Sequence, residues 1–168
     1  NAEYTVDESS SVISWKGNGV GKSHEGTLAL NSSDIVINNQ NISGAIIFNM
    51  DSITTPDGER LTNHLKSNDF FEVDTYPTAT FDIDGYENGL IKGELTIKST
   101  TQPVSLPATI NQTGMTLTVT GDMVFDRSLF DVRFGSDTFF ENLGDSVIDN
   151  DIEVSVTVVA TQADSADE

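Results

Sequence analysis

MTLTVTGDMVF, residues 115–125, places Met115, Leu117, Val119, Gly121, Met123 and Phe125 on one face and Thr116, Thr118, Thr120 and Asp122 on the other. A period of two is the mark of a β-strand with one face turned to a core and the other to water. The same rhythm runs through Ala79, Phe81 and Ile83, through Val104, Leu106, Ala108 and Ile110, and through Ile152, Val154, Val156, Val158 and Ala160. Turn-forming clusters separate these runs at short intervals: Asn18-Gly19, Asn31 to Asp34, Asn38 to Asn41, Glu87-Asn88-Gly89 and Gln112-Thr113-Gly114. Strands with one dry face each must curl into a barrel or pair as a sandwich to bury it, so the chain reads as antiparallel and all-β. Eleven residues at about 3.3 Å each, tilted by roughly 40°, would give a barrel about 25–30 Å tall.

Two segments break the rhythm. Between Pro56 and Phe71, Leu61, Leu65 and Phe70 recur at helical spacing behind Asp57 and Glu59, the charge a helix start favours. Between Asp126 and Asn150, Phe130, Phe134, Phe139 and Phe140 are interleaved with charge and glycine. Both segments are expected to be long connections, holding one or two short helices, that cap a barrel end. Residues 163–168, ADSADE, read as an acidic disordered tail after a single domain spanning 1–162.

Composition narrows the function. The 168 residues suit one domain, and 27 acidic against 8 basic residues give a formal charge of −19, which repels nucleic-acid phosphates and anionic lipid. The chain has no Cys, hence no disulfide or thiolate chemistry. It carries no G-x-S-x-G elbow or H-E-x-x-H pair, and GNGVGK at 17–22 lacks P-loop spacing, so no enzyme activity is expected. His24 and His64 are read as hydrogen-bonded structural residues, and no metal site is assigned to them. Asp126 and Arg127 are expected to form an ion pair or turn contact at a strand end. No apolar run is long enough for a spanning helix, and stable membrane insertion is not expected.

Five stretches occur in an order that resembles the YceI-like family: YTVDESSSVISWKG, SHEGTLAL, HLKSNDFFEVDTYPTATF, GELTIKSTTQPVSLP, and DRSLFDVRFG followed by LGDSVIDNDIEVSVTVVA. The likeness extends from about Tyr4 to Ala160; this chain has Ser99 and Asp131 where the family often has Gly. The resemblance implies an antiparallel eight-stranded lipocalin-like barrel in the periplasm or secreted, its leader removed before Asn1. It further implies an apolar channel for one long amphiphilic lipid: a polyisoprenoid, an isoprenoid quinone, or a fatty amide or acid. Such a protein needs no cofactor beyond that bound lipid, and its oligomeric state, monomer or homodimer, is left open. The expected ligand contacts are Trp15, Phe48, Met50, Phe81, Met123 and Phe125 on the strands, and Leu65, Phe70, Phe71, Phe130, Phe134 and Phe139 in the connections. With Tyr76, the residues Leu65, Phe70 and Phe71 would form either an apolar lip or a plug of ordinary core. A filled barrel serving as a stress-associated or protein-interaction module is the alternative, and an enzyme acting on lipid is a third reading.

Overall fold

The structure, a computed structural model, describes residues 2–19, 21–31, 33–38, 41–136, 139, 143 and 148–162; Phe140 and the 163–168 tail lie outside these. Among the described residues there are ten strands: β1 (Ala2–Val6), β2 (Val12–Gly19), β3 (Lys22–Leu30), β4 (Asp34–Asn38), β5 (Asn41–Thr54), β6 (Thr78–Glu87), β7 (Leu90–Ile97), β8 (Thr100–Thr113), β9 (Thr116–Asp126) and β10 (Ile148–Gln162). Helix α1 (Glu59–Lys66) lies between β5 and β6, and a 3-10 turn (Arg127–Phe130) follows β9. The helix is half the length its apolar spacing suggests, because from Ser67 onward the main chain folds back: Phe71 N–H donates to Leu65 O at 3.1 Å and Val73 N–H to Lys66 O at 3.0 Å.

These strands pair antiparallel throughout, and the pairing of β5 with β6 closes the sheet into a barrel. Ten strands make an eight-stranded ring because two positions in the wall are each shared by two short strands. Along one edge of β10, Val12–Gly19 of β2 pair with 148–157, and Tyr4–Val6 of β1 pair with 160–162. Along β5, β4 pairs with 41–45 while β3 pairs with 48–54. At these two positions the hairpin of β2 and β3 thus forms one half of the wall's height, and the β1–β4 pair forms the other half.

Where one panel gives way to the next, serine hydroxyls complete the ladders. Ser11 Oγ accepts from Val159 N–H at 3.0 Å on β10, and Ser33 Oγ accepts from Ile47 N–H at 2.9 Å on β5. Val6 N–H donates to Ser33 O at 2.9 Å and ties the two breaks together. A third hydroxyl, Ser52 Oγ, accepts from Ala29 N–H at 2.7 Å inside the bulge that separates Thr27↔Thr54 from Ala29↔Asn49. These groups matter because a main-chain donor buried without a partner costs about 1–3 kcal/mol.

Alternation translates into burial as the sequence implies: Ala79, Phe81 and Ile83 face inward, as do Leu117, Val119, Met123 and Phe125. Met115 departs from that reading. It is 44% exposed, since it stands in the β8–β9 turn beside Gly114, whose φ of 60° the turn requires. The β6–β7 hairpin turns on Asn88-Gly89 with φ of 56° and 79°, the paired left-handed geometry that Asn-Gly accommodates best. In the β7–β8 turn the left-handed residue is Lys98, the neighbour of Ser99; at the close of the 3-10 turn it is Asp131 itself, with φ 64°. The end of the barrel away from α1 is packed solid by Tyr4, Leu117 and Ala160, all fully buried, and Gln112 donates from Nε2 to the Tyr4 hydroxyl.

Candidate functional site

Beneath α1 the side chains do not fill the lumen. A cavity of about 290 Å³ lies there, and its walls come from β2, β3, β5, β6, β7, β9 and β10. The reason is local: the β5 bulge lets both Met50 and Ile53 turn inward within four residues, while small Gly17, Gly19 and Ala79 leave space on neighbouring strands. Trp15 lies flat enough over its register partner Gly26 that an added Cβ there would sit 2.7 Å from Cζ2 of the indole. Among the described residues, Trp15 Nε1 is a buried side-chain donor with no hydrogen-bond partner.

Nine of the twelve expected contact residues line this space: Trp15, Phe48, Met50, Leu65, Phe70, Phe71, Met123, Phe125 and Phe134. Three do not. Phe81 lines a separate void of about 30 Å³, one level deeper in the barrel. Phe130 is buried behind the wall, edge-on to Phe125 at a ring distance of 5.7 Å. Phe139 is 37% exposed under the Arg133 guanidinium, 4.5 Å from its ring centre. Tyr76 is also off the wall. The aliphatic part of the lining, including Ile13, Leu28, Ile53, Leu95, Ile97 and Val154, escapes a reading that favours aromatics and Met. Alternation already turned Val154 inward, and the same signal applied evenly would have found more of them.

Polar groups gather at one end. Asn18, His24, His64 and Arg127 all lie on the α1 side of the cavity, and the His24 and His64 side chains are 41% and 36% exposed, so this end meets solvent. His24 Nδ1 is 2.9 Å from Asp57 Oδ2, and His64 Nε2 is 2.9 Å from Asp69 Oδ2. The hydrogen bond from His24, with help from Thr55, holds the Asp57 carboxyl below its ordinary pKa. His64 also stands edge-on to two rings, Phe134 at 4.7 Å and Phe70 at 5.0 Å, which are 5.4 Å from each other. Leu65, Phe70 and Phe71 line the cavity at that end, with Leu65 and Phe70 buried.

The expected turn contact at this strand end is made by Asp126, while Arg127 has other partners. The residue is 1% exposed, and its guanidinium donates to three main-chain carbonyls: Asp149 O at 3.0 Å, Val132 O at 2.9 Å and Ile148 O at 2.9 Å. Asp126 instead caps the 3-10 turn, accepting from Ser128 N–H at 2.9 Å. One arginine thus fastens the β9–β10 connection to the start of β10, and it also lines the cavity, its guanidinium carbon 5.9 Å from the centre of the Phe70 ring.

An apolar chamber with polar groups confined to its mouth can take up a long apolar chain and leave a polar end at the water boundary. Among the described residues no group of three or more His, Asp or Glu is placed to hold a metal.

The family model for the YceI-like domain matches residues 4–160. No curated protein sequence matches. Among solved structures, Burkholderia cenocepacia BcnA superposes with a TM-score of 0.75 at 23% identity, over 93% of this chain and 99% of that one. A polyisoprenoid binding domain from Saccharophagus degradans, implicated in plant cell wall breakdown, superposes with a TM-score of 0.76 at 13% identity, over 97% and 100%. The YCEI protein of Campylobacter jejuni reaches 0.64 at 22% identity, over 79% and 81%. At these identities the likeness establishes a common fold.

Proposed function

This chain belongs to the YceI-like domain family, and on that footing we propose that it binds one long-chain amphiphilic lipid in the barrel and acts as a carrier, store or scavenger. The ligand class is a polyisoprenoid, an isoprenoid quinone, or a fatty amide or acid, and the compartment is the periplasm or the cell exterior. The observation that carries this reading is the chamber of about 290 Å³, apolar in depth and polar only at its mouth. It counts against a filled barrel, in which side chains would close this space as Tyr4, Leu117 and Ala160 close the opposite end. The Saccharophagus degradans neighbour is a polyisoprenoid binding domain, which supports the same ligand class here.

Binding rather than catalysis also suits the polar groups at the mouth. His24 and His64 are each engaged by an aspartate, and Arg127 by main-chain carbonyls, arrangements that orient and anchor. Each methylene moved from water into the chamber contributes about 0.8 kcal/mol against an association cost of at least about 4 kcal/mol, so affinity should follow chain length, as far as the chamber holds the chain, more than headgroup. Organic extraction of the purified protein followed by mass spectrometry tests the proposal. A long-chain compound at near-stoichiometric yield is expected; nothing above a boiled and refolded control, even after incubation with such lipids, would overturn it.

A further inference from the structure

The chamber under α1 and the void of about 30 Å³ below it are two levels of one lumen. Strand register shows the order: Val154 and Ile152 line the upper space and Val156 and Val158 the lower, while on β9 Phe125 is above and Val119 below. Among the described residues only Phe48 and Met123 line both. They come from β5 and β9, and their register partners are Ala79 and Val154. The lower void has no polar lining, so water gains nothing there and the space is available only to hydrocarbon.

We infer that Phe48 and Met123 form an internal partition across the lumen, and that the side chain at position 123 sets the length of apolar chain the barrel accepts. This inference rests on the lipid-binding reading above and makes it specific. A cavity of about 150 Å³ takes a benzene-sized guest, which scales the chamber of about 290 Å³ to roughly a dozen carbons, a little over two isoprene units. Carbons beyond that must remain outside the mouth, in water. Removing the Met123 side chain beyond Cβ frees the room of three heavy atoms and joins the void of about 30 Å³, in total about one further isoprene unit. Met is the residue type whose unbranched thioether yields most readily, which suits a partition that also has to pack when no chain presses on it.

The test compares geraniol with farnesol, which differ by one isoprene unit, as ligands of the wild type and of Met123→Ala, Met123→Phe and Phe48→Leu. Binding is read from the fluorescence of Trp15, the sole tryptophan, and from mass spectrometry of intact complexes. The ratio of the two affinities cancels whatever happens at the mouth. That ratio should rise at least about tenfold in Met123→Ala, rise in the same direction in Phe48→Leu, and fall in Met123→Phe. Two independent positions and both directions of size change keep the outcome readable should one variant fold poorly. If the wild type binds both prenols and the ratio is the same in every folded variant, the partition is wrong and the lipid-binding reading stands. If neither prenol binds any form, and fatty amides and quinones fail likewise, the lipid-binding reading falls and the partition with it.

Discussion

At the two places where the barrel wall passes from one panel to the other, a serine hydroxyl substitutes for a strand neighbour. Ser33 is 3% exposed and Ser11 is half-buried. Ser33→Ala leaves the Ile47 amide without its acceptor and should lower stability by about 1–2 kcal/mol, roughly 3–6 °C in melting temperature, with a smaller loss for Ser11→Ala. Thermal denaturation followed by circular dichroism checks both, and equal or negligible losses would show that relaxed backbone or water replaces the hydroxyl. Gly26 is a steric case: a Cβ would fall 1.8 Å from Thr54 O and 2.7 Å from the Trp15 ring. Gly26→Ala is expected to cost about 1–3 kcal/mol and to shift Trp15 emission, because the indole must leave its present position on the cavity wall. Arg127 is held by geometry as much as charge, its planar fork reaching three carbonyls at once, so Arg127→Lys should not restore the stability lost in Arg127→Met. Sequence alone presents Arg127 as an ordinary strand-end charge, because carbonyl partners have no signature in side-chain types.

Helix α1 is an element that cannot stand without its anchors. Eight residues are too few for a stable isolated helix, Gly58 supplies no side-chain cap, and among its residues only Leu65 is fully buried. The chain just ahead of its N-cap is held to β3 through the His24–Asp57 pair, and its last turn is held to β5 through Lys66 and Asp51, 3.5 Å apart. The folded-state pKa of Asp57 is depressed, so its contribution is complete above the ordinary carboxylate value of about 3.9 and is lost as pH falls through the lower folded value. Asp7, whose carboxyl is likewise held low by the Ser9 and Ser10 hydroxyls in the β1–β2 turn, follows the same rule. Hydrogen exchange should therefore show α1 amides opening more readily at pH 3 than at pH 6 ahead of the β9–β10 ladder. Asp57→Asn should raise the opening at pH 6 and flatten the pH dependence; an unchanged profile would place the anchor elsewhere. The strands around this lid were legible because alternation names the inward face. What alternation does not give is height along the axis. Phe48 and Phe81 both point inward, yet register sets Phe48 against the main chamber and Phe81 below it. The helix limits were blurred for a related reason, since Phe70 continues the apolar spacing after the backbone has already turned back.

For the molecule as a whole, a formal charge of −19 on 168 residues sets self-repulsion against the closed sheet. Screening weakens that repulsion, so the melting temperature should rise by roughly a few degrees between dilute buffer and seawater-like salt. A flat or falling response would show that carboxylate repulsion is not what limits stability. The all-β class and the barrel were readable from turn spacing and from the order of family-like stretches, but the use of ten strands for eight wall positions was not. Short strands that share a neighbour look in sequence like any other short strands. That arrangement also makes the barrel modular. The chain enters the β2–β3 hairpin through residues 7–11 and leaves it after Asn31, with Ser33 beyond, both at the seam between panels. Residues 12–30 are therefore a cassette: Ile13, Trp15, His24 and Leu28 travel with it, whereas the packed floor stays behind. Exchanging this hairpin between related barrels would graft one protein's chamber wall onto another's foundation with two splice points, both beside a serine.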